Sequence, residues 1–226
     1  MSIVKSILCL IVSTVLIVNS FAQQATEPYP FWNDIQNFKK QDSAQSPPAN
    51  AILFVGSSSF TMWKDVQDYF PGYTIINRGF GGSTLPDVIR YAGDVIYPYK
   101  PKQVVIYCGE NDLASSDAVS AQIVFERFKV LFAMIRNEFK NIPIAYISMK
   151  PSPSRQRLFP KMIAGNNMIK DFLKKKKHTS FIDVYSKMLK ADGTVMDDIF
   201  LEDNLHMNKS GYAIWQKEIQ PVLIKE

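Results

Sequence analysis

A chain of 226 residues with 46% hydrophobic and 21% charged residues can bury a large core in one domain, and its composition excludes an intrinsically disordered protein. The formal net charge of +5 comes from scattered cations, apart from four lysines at 174–177. That run ends a helical pattern, where cations suit the helix dipole. We interpret it as a solvated helix end and predict no nucleic-acid partner.

The N-terminus has the pattern of an export signal. Lys5 precedes an apolar stretch at 7–18, and the small-x-small sequence ending at Ala22 is typical of a cleavage site. The alternative is a membrane anchor, but the apolar stretch is shorter than the roughly 20 residues that a spanning helix needs. We expect residues 1–22 to be a signal peptide, and the mature protein to be periplasmic or extracellular with no membrane span.

The segment after the signal is predicted to be a lead-in to the domain. Within residues 23–50, apolar residues at helical spacing predict a short amphipathic helix, which Pro47 and Pro48 end. Residues 51–226 contain no internal repeat. We therefore predict that they form one domain.

Short apolar segments alternate with helical patterns along this domain. Strands are predicted at 51–55, 73–76, 103–107, 142–147 and 180–183. Helices are predicted at 61–70, 85–97, 118–139, 158–176 and 209–224. Because right-handed crossovers place helices on both faces of a parallel sheet, this alternation predicts a three-layer α/β/α fold.

Serines follow the first predicted strand directly. The strand runs into Gly56 and three serines at 57–59. In an open α/β sheet, ligands bind beyond the carboxyl ends of the strands, so these hydroxyls are candidates for chemistry. Serine is also an ordinary N-cap residue, and this segment alone leaves a capped helix start equally open.

Three further loops carry polar groups that the topology can bring to the same edge of the sheet. Residues 77–84 are rich in glycine, which lets backbone N–H groups approach a ligand closely. Residues 109–112 read Gly-Glu-Asn-Asp, and residues 203–206 read Asp-Asn-Leu-His. Together the four loops offer a hydroxyl nucleophile, an imidazole, a carboxylate and several hydrogen-bond donors.

The choice of a catalytic base is narrow, because His178 and His206 are the two histidines of the sequence. His178 follows the four lysines in a segment that we expect to be an exposed turn. His206 is therefore the candidate base for an activated serine. Asp203 lies three residues earlier and can bond the other ring nitrogen. For an isolated pair, the alternative of a helix cap and a surface histidine stays open.

These four loops resemble, in matching order, the sequence blocks of the SGNH hydrolases, the GDSL-type lipase and acylhydrolase superfamily. The G-D-S motif of that family corresponds to residues 56–58, which makes Ser58 the nucleophile. The main departure is Ser57, where the family usually has aspartate. The resemblance implies a flavodoxin-like fold with a five-stranded parallel sheet.

The resemblance also implies the remaining site residues. The glycine of the second block corresponds to Gly82, the G-x-N-D asparagine to Asn111, and the D-x-x-H pair to Asp203 and His206. The backbone N–H groups of Ser58 and Gly82 and the Asn111 amide would form the oxyanion hole. The family chemistry is ester hydrolysis through an acyl-enzyme. It needs neither a metal nor another cofactor, and we predict none.

The substrate contacts are predicted from position alone. Phe80 and Leu113 lie beside the catalytic loops and are candidates to line an apolar acyl slot. Lys150 and Arg155 lie on a proline-stiffened loop after the fourth strand and could contact an anionic or sugar group; a solvated loop is an equal alternative. The export signal and the lack of a long apolar lid favour short-acyl esters, including O-acetyl groups on carbohydrates.

Other functions stay open as alternatives. Within the superfamily, the alternative is a lysophospholipase or a platelet-activating-factor-acetylhydrolase-like lipid esterase. From another class, the alternative is a carbohydrate-binding protein that kept the fold and lost turnover. A nucleotide-binding module is disfavoured, because Thr84 stands where the dinucleotide fingerprint needs its third glycine. The sequence gives no indication of the number of subunits.

Overall fold

The computed structural model describes residues 29–225, so the predicted signal peptide at 1–22 lies outside the described residues. The chain divides into a short N-terminal unit, Met1–Trp32, and a large unit, Asn33–Glu226. All the strands described below belong to the large unit.

A five-stranded parallel sheet forms the centre of the large unit. Its spatial order is β2-β1-β3-β4-β5. The strands are β1 (Ile52–Gly56), β2 (Ile75–Gly79), β3 (Gln103–Tyr107), β4 (Ile144–Ile147) and β5 (Thr179–Ile182). Every residue of β1 and of β3 is buried, as expected for central strands covered on both faces. The predicted α/β class with a five-stranded parallel sheet is confirmed.

Helices cover both faces of the sheet. In chain order they are α1 (Trp32–Ala44), α2 (Ser58–Thr61), α3 (Val66–Tyr69), α4 (Leu85–Arg90), α5 (Ala92–Val95), α6 (Glu110–Ser115), α7 (Ala121–Glu138), α8 (Phe159–Leu173) and α9 (Lys209–Ile219). Short 3-10 turns at Tyr97–Tyr99, Pro153–Leu158, Ser186–Met188 and Gln220–Val222 complete the connections. Among residues 29–225, no helix is both long and apolar enough to cross a membrane.

Helix α1 lies within the predicted lead-in and packs on the edge of the sheet. Ile35 is fully buried. The Asp42 carboxylate accepts hydrogen bonds from the Arg78 guanidinium, at the end of β2, and from the Tyr99 hydroxyl at 2.6 Å. Burial, and then the hydrogen bond to Asp42, raise the pKa of Tyr99 to about 12.

The predicted helix at 61–70 is two short helices, α2 and α3, and α2 already begins at Ser58. The Asn77 side-chain amide donates to the Phe60 carbonyl at 2.7 Å. The same carbonyl also accepts from the Trp63 N–H at 3.1 Å, across a turn tighter than that of an α-helix. The bond from Asn77 joins positions 17 residues apart, so the helical pattern of residues 61–70 could not reveal it.

The turn between β1 and α2 needs a glycine. Gly56 has φ of +145° and lies opposite Tyr107 in the parallel register of β1 and β3. A Cβ at position 56 would lie 1.9 Å from the Tyr107 carbonyl oxygen. This close approach turns the chain immediately after the sheet and places Ser58 at its carboxyl edge.

Gly56→Ala should therefore destabilise the protein by roughly 3 kcal/mol or more. The added Cβ would clash with the Tyr107 backbone, and alanine rarely adopts the φ of this position. Gly93→Ala is the matched control, because a Cβ there meets nothing within 4 Å. It lies in α5, where alanine should change stability by about 1 kcal/mol or less. Chemical denaturation measures both; equal stabilities would contradict this account of the turn.

Candidate active site

Ser58 is the first residue of α2 and is half-buried. Its Oγ lies 3.1 Å from Nε2 of His206. The neighbouring serines differ from it in their surroundings, because Ser57 and Ser59 are 5% and 2% exposed. Of the three, the structure brings Ser58 to the imidazole.

His206 lies on a closed loop between β5 and α9, which we call the acid–base loop, residues 200–207. An antiparallel bridge between Phe200 and Met207 closes it, and the Leu201 N–H donates to the His206 carbonyl at 2.8 Å. Nδ1 of His206 lies 2.5 Å from Oδ2 of Asp203. The loop thus holds the imidazole between a carboxylate and the Ser58 hydroxyl.

Asp203 is held in its ionised form. Partial burial raises the pKa of its carboxyl. Hydrogen bonds from the His206 ring and from the backbone N–H groups of His206 and Leu205 have the larger, opposite effect and lower the pKa to about 2. Both backbone bonds are 2.9 Å long. A carboxylate can only accept, so Nδ1 carries the ring proton and Nε2 is the acceptor that faces Ser58.

The two predicted backbone donors of the oxyanion hole are the N–H groups of Ser58 and Gly82. In the part of the chain that the structure describes, neither the Ser58 N–H nor the Gly82 N–H donates to a protein acceptor. Gly82 is exposed, with φ of +87°. A Cβ at the adjacent Gly81 would lie 3.9 Å from the Ser58 Cβ, which shows how closely this loop passes the nucleophile. Both predicted backbone donors are therefore available to an oxyanion.

The Asn111 amide bonds residues that neighbour Ser58 and Gly82 in the chain, so it already has partners. Its Nδ2 donates to the Ser57 Oγ at 2.7 Å and to the Ser83 carbonyl at 3.1 Å. These bonds fix the amide beside the residue preceding the nucleophile, so a developing oxyanion would have to share or replace one of them. Ser57 is the position where the sequence departs from the usual G-D-S motif. The departure indicated that the hydrogen bonding of this turn would differ from that of the family. The sequence did not show that Asn111 would be the partner of Ser57.

Three predicted substrate contacts lie in the interior, and these predictions were wrong for this structure. Phe80 and Leu113 are fully buried, and Lys150 is 1% exposed. The two apolar side chains pack in the core, where burial stabilises them. Lys150 forms an ion pair with Glu110 instead, with its Nζ 3.1 Å from Oε2.

Arg155 differs from these three, because it is partly exposed. Its loop is bonded to the acid–base loop, since the Ser154 N–H donates to the Asn204 carbonyl at 3.0 Å. Arg155 thus remains a candidate substrate contact.

Sequence reasoning also missed a buried carboxylate that supports the site. Asp112 is fully buried and accepts hydrogen bonds from the Leu85 N–H at 2.9 Å and from Arg127 at 2.7 Å. Burial raises the pKa of this carboxyl, and the hydrogen bonds oppose that rise. Asp112 ties α4, α6 and α7 together directly behind Asn111. Within residues 29–225, no cluster of three or more His, Cys, Asp or Glu side chains could hold a metal ion.

Several solved structures are similar to this one. A candidate platelet activating factor from Streptococcus pneumonia has a TM-score of 0.74 at 18% identity, over 94% of this chain and 99% of that chain. A GDSL-like lipase from Bacteroides thetaiotaomicron has a TM-score of 0.71 at 20% identity, over 83% and 96%. A mutant of an acetyl-xylooligosaccharide esterase from Geobacillus Stearmophilus has a TM-score of 0.62 at 14% identity, over 79% and 97%. At these identities the likeness shows a shared fold.

The Ser58 hydroxyl, the His206 imidazole and the Asp203 carboxylate are hydrogen-bonded in series at the carboxyl edge of the parallel sheet. This arrangement is that of a serine hydrolase. The model of the GDSL-like lipase/acylhydrolase family matches residues 54–214, so the chain belongs to that family and is a carboxylic ester hydrolase. A comparison with curated protein sequences gives no match.

Asp203→Asn should reveal the contribution of the carboxylate charge to stability. The pKa of Asp203 is lowered in the folded state from 3.8 to about 2. Its stabilising effect is therefore fully present above the unfolded value and is lost as the pH falls through the folded one. The melting temperature of the wild type should exceed that of Asp203→Asn near pH 5, and the difference should shrink towards pH 2. A difference that stays constant over this range would contradict the assignment.

Proposed function

We propose that this chain is an exported serine esterase that hydrolyses short-acyl carboxylic esters, with O-acetyl groups on carbohydrates among its substrates. One observation carries the proposal: the continuous hydrogen-bonded series from Ser58 Oγ through the His206 ring to Asp203. Export is supported by the signal-like sequence at residues 1–22.

In the first half of the reaction, Ser58 Oγ attacks the ester carbonyl carbon while His206 Nε2 takes the hydroxyl proton. The Asp203 carboxylate keeps the ring oriented and stabilises the imidazolium. The carbonyl oxygen becomes an oxyanion, which the N–H groups of Ser58 and Gly82 and the Asn111 amide stabilise. The intermediate then expels the alcohol, which takes the proton from Nε2, and an acyl-serine remains.

In the second half, a water molecule attacks the acyl-serine. Nε2 of His206, now neutral again, takes a proton from this water. A second tetrahedral oxyanion forms at the same donors and collapses by breaking the bond to Ser58 Oγ. The serine recovers its proton from Nε2, and the carboxylic acid leaves. The same base and the same donors thus serve both halves.

The surroundings of the nucleophile favour a small acyl group. The two apolar side chains nearest in sequence to the oxyanion donors, Phe80 and Leu113, are buried and do not form a wall at the surface. Asp203 and His206 have side chains that are 47% and 21% exposed, so the acid–base loop opens to solvent. An open polar edge suits a hydrophilic alcohol such as a sugar. The similarity to an acetyl-xylooligosaccharide esterase supports the same substrate class.

A lipid ester is the second candidate substrate. The similarity to a candidate platelet activating factor from Streptococcus pneumonia favours it. So do two exposed apolar side chains on the segments that carry the catalytic groups: Met62, just after α2, is 40% exposed, and Leu201, on the acid–base loop, is 41% exposed. Two separate side chains offer little area for docking on a lipid surface, so we rank this candidate second.

A series of p-nitrophenyl esters from acetate to palmitate tests the substrate class. With a shallow acyl site, kcat/KM should be highest for acetate or butyrate and fall at least about tenfold by octanoate, because added methylenes find no apolar partner. Ser58→Ala provides the blank. Rates that rise with chain length, or activation at a lipid interface, would favour the lipid candidate. Hydrolysis no faster than in the blank would favour a binding protein without turnover.

Asn111→Ala should lower kcat by roughly 10²- to 10³-fold with a much smaller change in KM, since the amide bonds most strongly to the oxyanion of the transition state. The matched control is Asn167→Ala, because Asn167 is exposed on α8. Steady-state kinetics with p-nitrophenyl acetate measures both variants. Unchanged kcat in Asn111→Ala would remove the side-chain donor from the mechanism.

A further inference from the structure

A buried ion pair includes Glu110, the residue just before Asn111. Lys150 Nζ lies 3.1 and 3.3 Å from the two carboxylate oxygens of Glu110, and the side chains are 2% and 8% exposed. The Tyr107 hydroxyl donates to the same carboxylate at 2.5 Å. The mechanism described above uses none of these three groups.

The Glu110 end of the pair determines where Asn111 lies. Glu110 and Asn111 are the first two residues of α6. Gly109, just before them, has φ of +125°, so the backbone entering this helix turns sharply. With its carboxylate bound from two sides, Glu110 fixes the first turn of α6. The Asn111 amide belongs to that turn.

The Lys150 end of the pair is itself anchored. Lys150 follows Met149, whose backbone N–H donates to Asn166 Oδ1 at 2.9 Å and whose carbonyl accepts from Asn166 Nδ2 at 3.0 Å. Asn166 lies on α8. Lys150 Nζ also lies 5.9 Å from the centre of the Phe200 ring, at the base of the acid–base loop. The pair therefore joins the turn that carries the oxyanion donor to a rigid helix and to the loop that carries the base.

Stability alone does not account for such a pair. Removing two charges from water costs so much that well-packed apolar replacements of a buried ion pair are often as stable as the pair. Removing only one partner is strongly destabilising, because the other charge stays buried without a partner. A geometric role in catalysis gives a reason for two charges at this place.

We propose that Glu110 and Lys150 are positioning residues for catalysis, whose ion pair holds the Asn111 amide at the oxyanion hole at a fixed distance from His206. This inference rests on the proposed function, because it needs Asn111 to be an oxyanion donor. Neither Glu110 nor Lys150 contacts the substrate. Their effect on the rate passes through Asn111.

The test replaces the whole polar cluster with apolar groups, in the triple variant Tyr107→Phe, Glu110→Leu and Lys150→Met. No buried charge is left unpaired, so the variant should melt near the wild-type temperature. Its kcat for p-nitrophenyl acetate should fall at least about tenfold while KM changes by less than about threefold. In an Asn111→Ala background, the same three changes should lower kcat by less than about twofold, because the group they position is gone. The exposed pair Glu126→Gln with Lys129→Met is the control.

Two results would overturn the inference. One is a folded triple variant with kcat within about threefold of the wild type; the other is an equal loss of kcat with and without Asn111, which indicates independent effects. If Asn111→Ala itself leaves kcat unchanged, both this inference and the assignment of Asn111 to the oxyanion hole fail. If Asn111→Ala lowers kcat and the triple variant does not, the inference alone fails.

If the triple variant does not fold, the double variant Glu110→Gln with Lys150→Met replaces it in the same cycle. Its amide oxygen can still accept from Tyr107, and no buried charge is left unpaired. We expect kcat to fall by at least about threefold, and this loss to be absent in the Asn111→Ala background. A folded Glu110→Gln, Lys150→Met variant with wild-type kcat would overturn the inference equally.

Discussion

The hydrogen bond between Ser58 and His206 joins two groups that are 148 residues apart in the chain. It can form only if the carboxyl end of β1 and the loop before α9 meet at one edge of the sheet. The close approach of Gly56 to Tyr107 turns the chain straight into α2 and so places Ser58 at that edge. The bridge between Phe200 and Met207 closes the acid–base loop, which places the imidazole next to Ser58.

Buried charged groups hold the segment that carries Asn111. Asp112 ties three helices behind Asn111, and the Glu110–Lys150 pair joins the start of α6 to the loop after β4. Such charges are costly to bury and stabilise a fold only when every partner is present. Glu110 and Asp112 flank Asn111 in the chain, which is the reason to connect these charges with the geometry of catalysis.

The sequence predicted the layers of the fold well, because central strands of a parallel sheet are continuous apolar runs; the third strand, at 103–107, has the predicted bounds. It also predicted that Ser58 would meet His206: the family motif selected Ser58 among three serines, and His206 was one of two histidines. It did not predict the break after α2, where the Asn77 amide bonds the Phe60 carbonyl from 17 positions away in the chain. It misjudged Lys150, because nothing local shows that a lysine has a buried carboxylate partner at position 110.

The central claim is that the Ser58 hydroxyl is the nucleophile and that His206 activates it. Labelling with a fluorophosphonate ester, followed by peptide mass spectrometry, tests it most directly, since the phosphonyl group stays on the oxygen that attacks. We expect one adduct per chain, on the peptide that contains Ser58, and much slower labelling in His206→Ala. An adduct on another residue, or a wild-type chain that does not label, would contradict it.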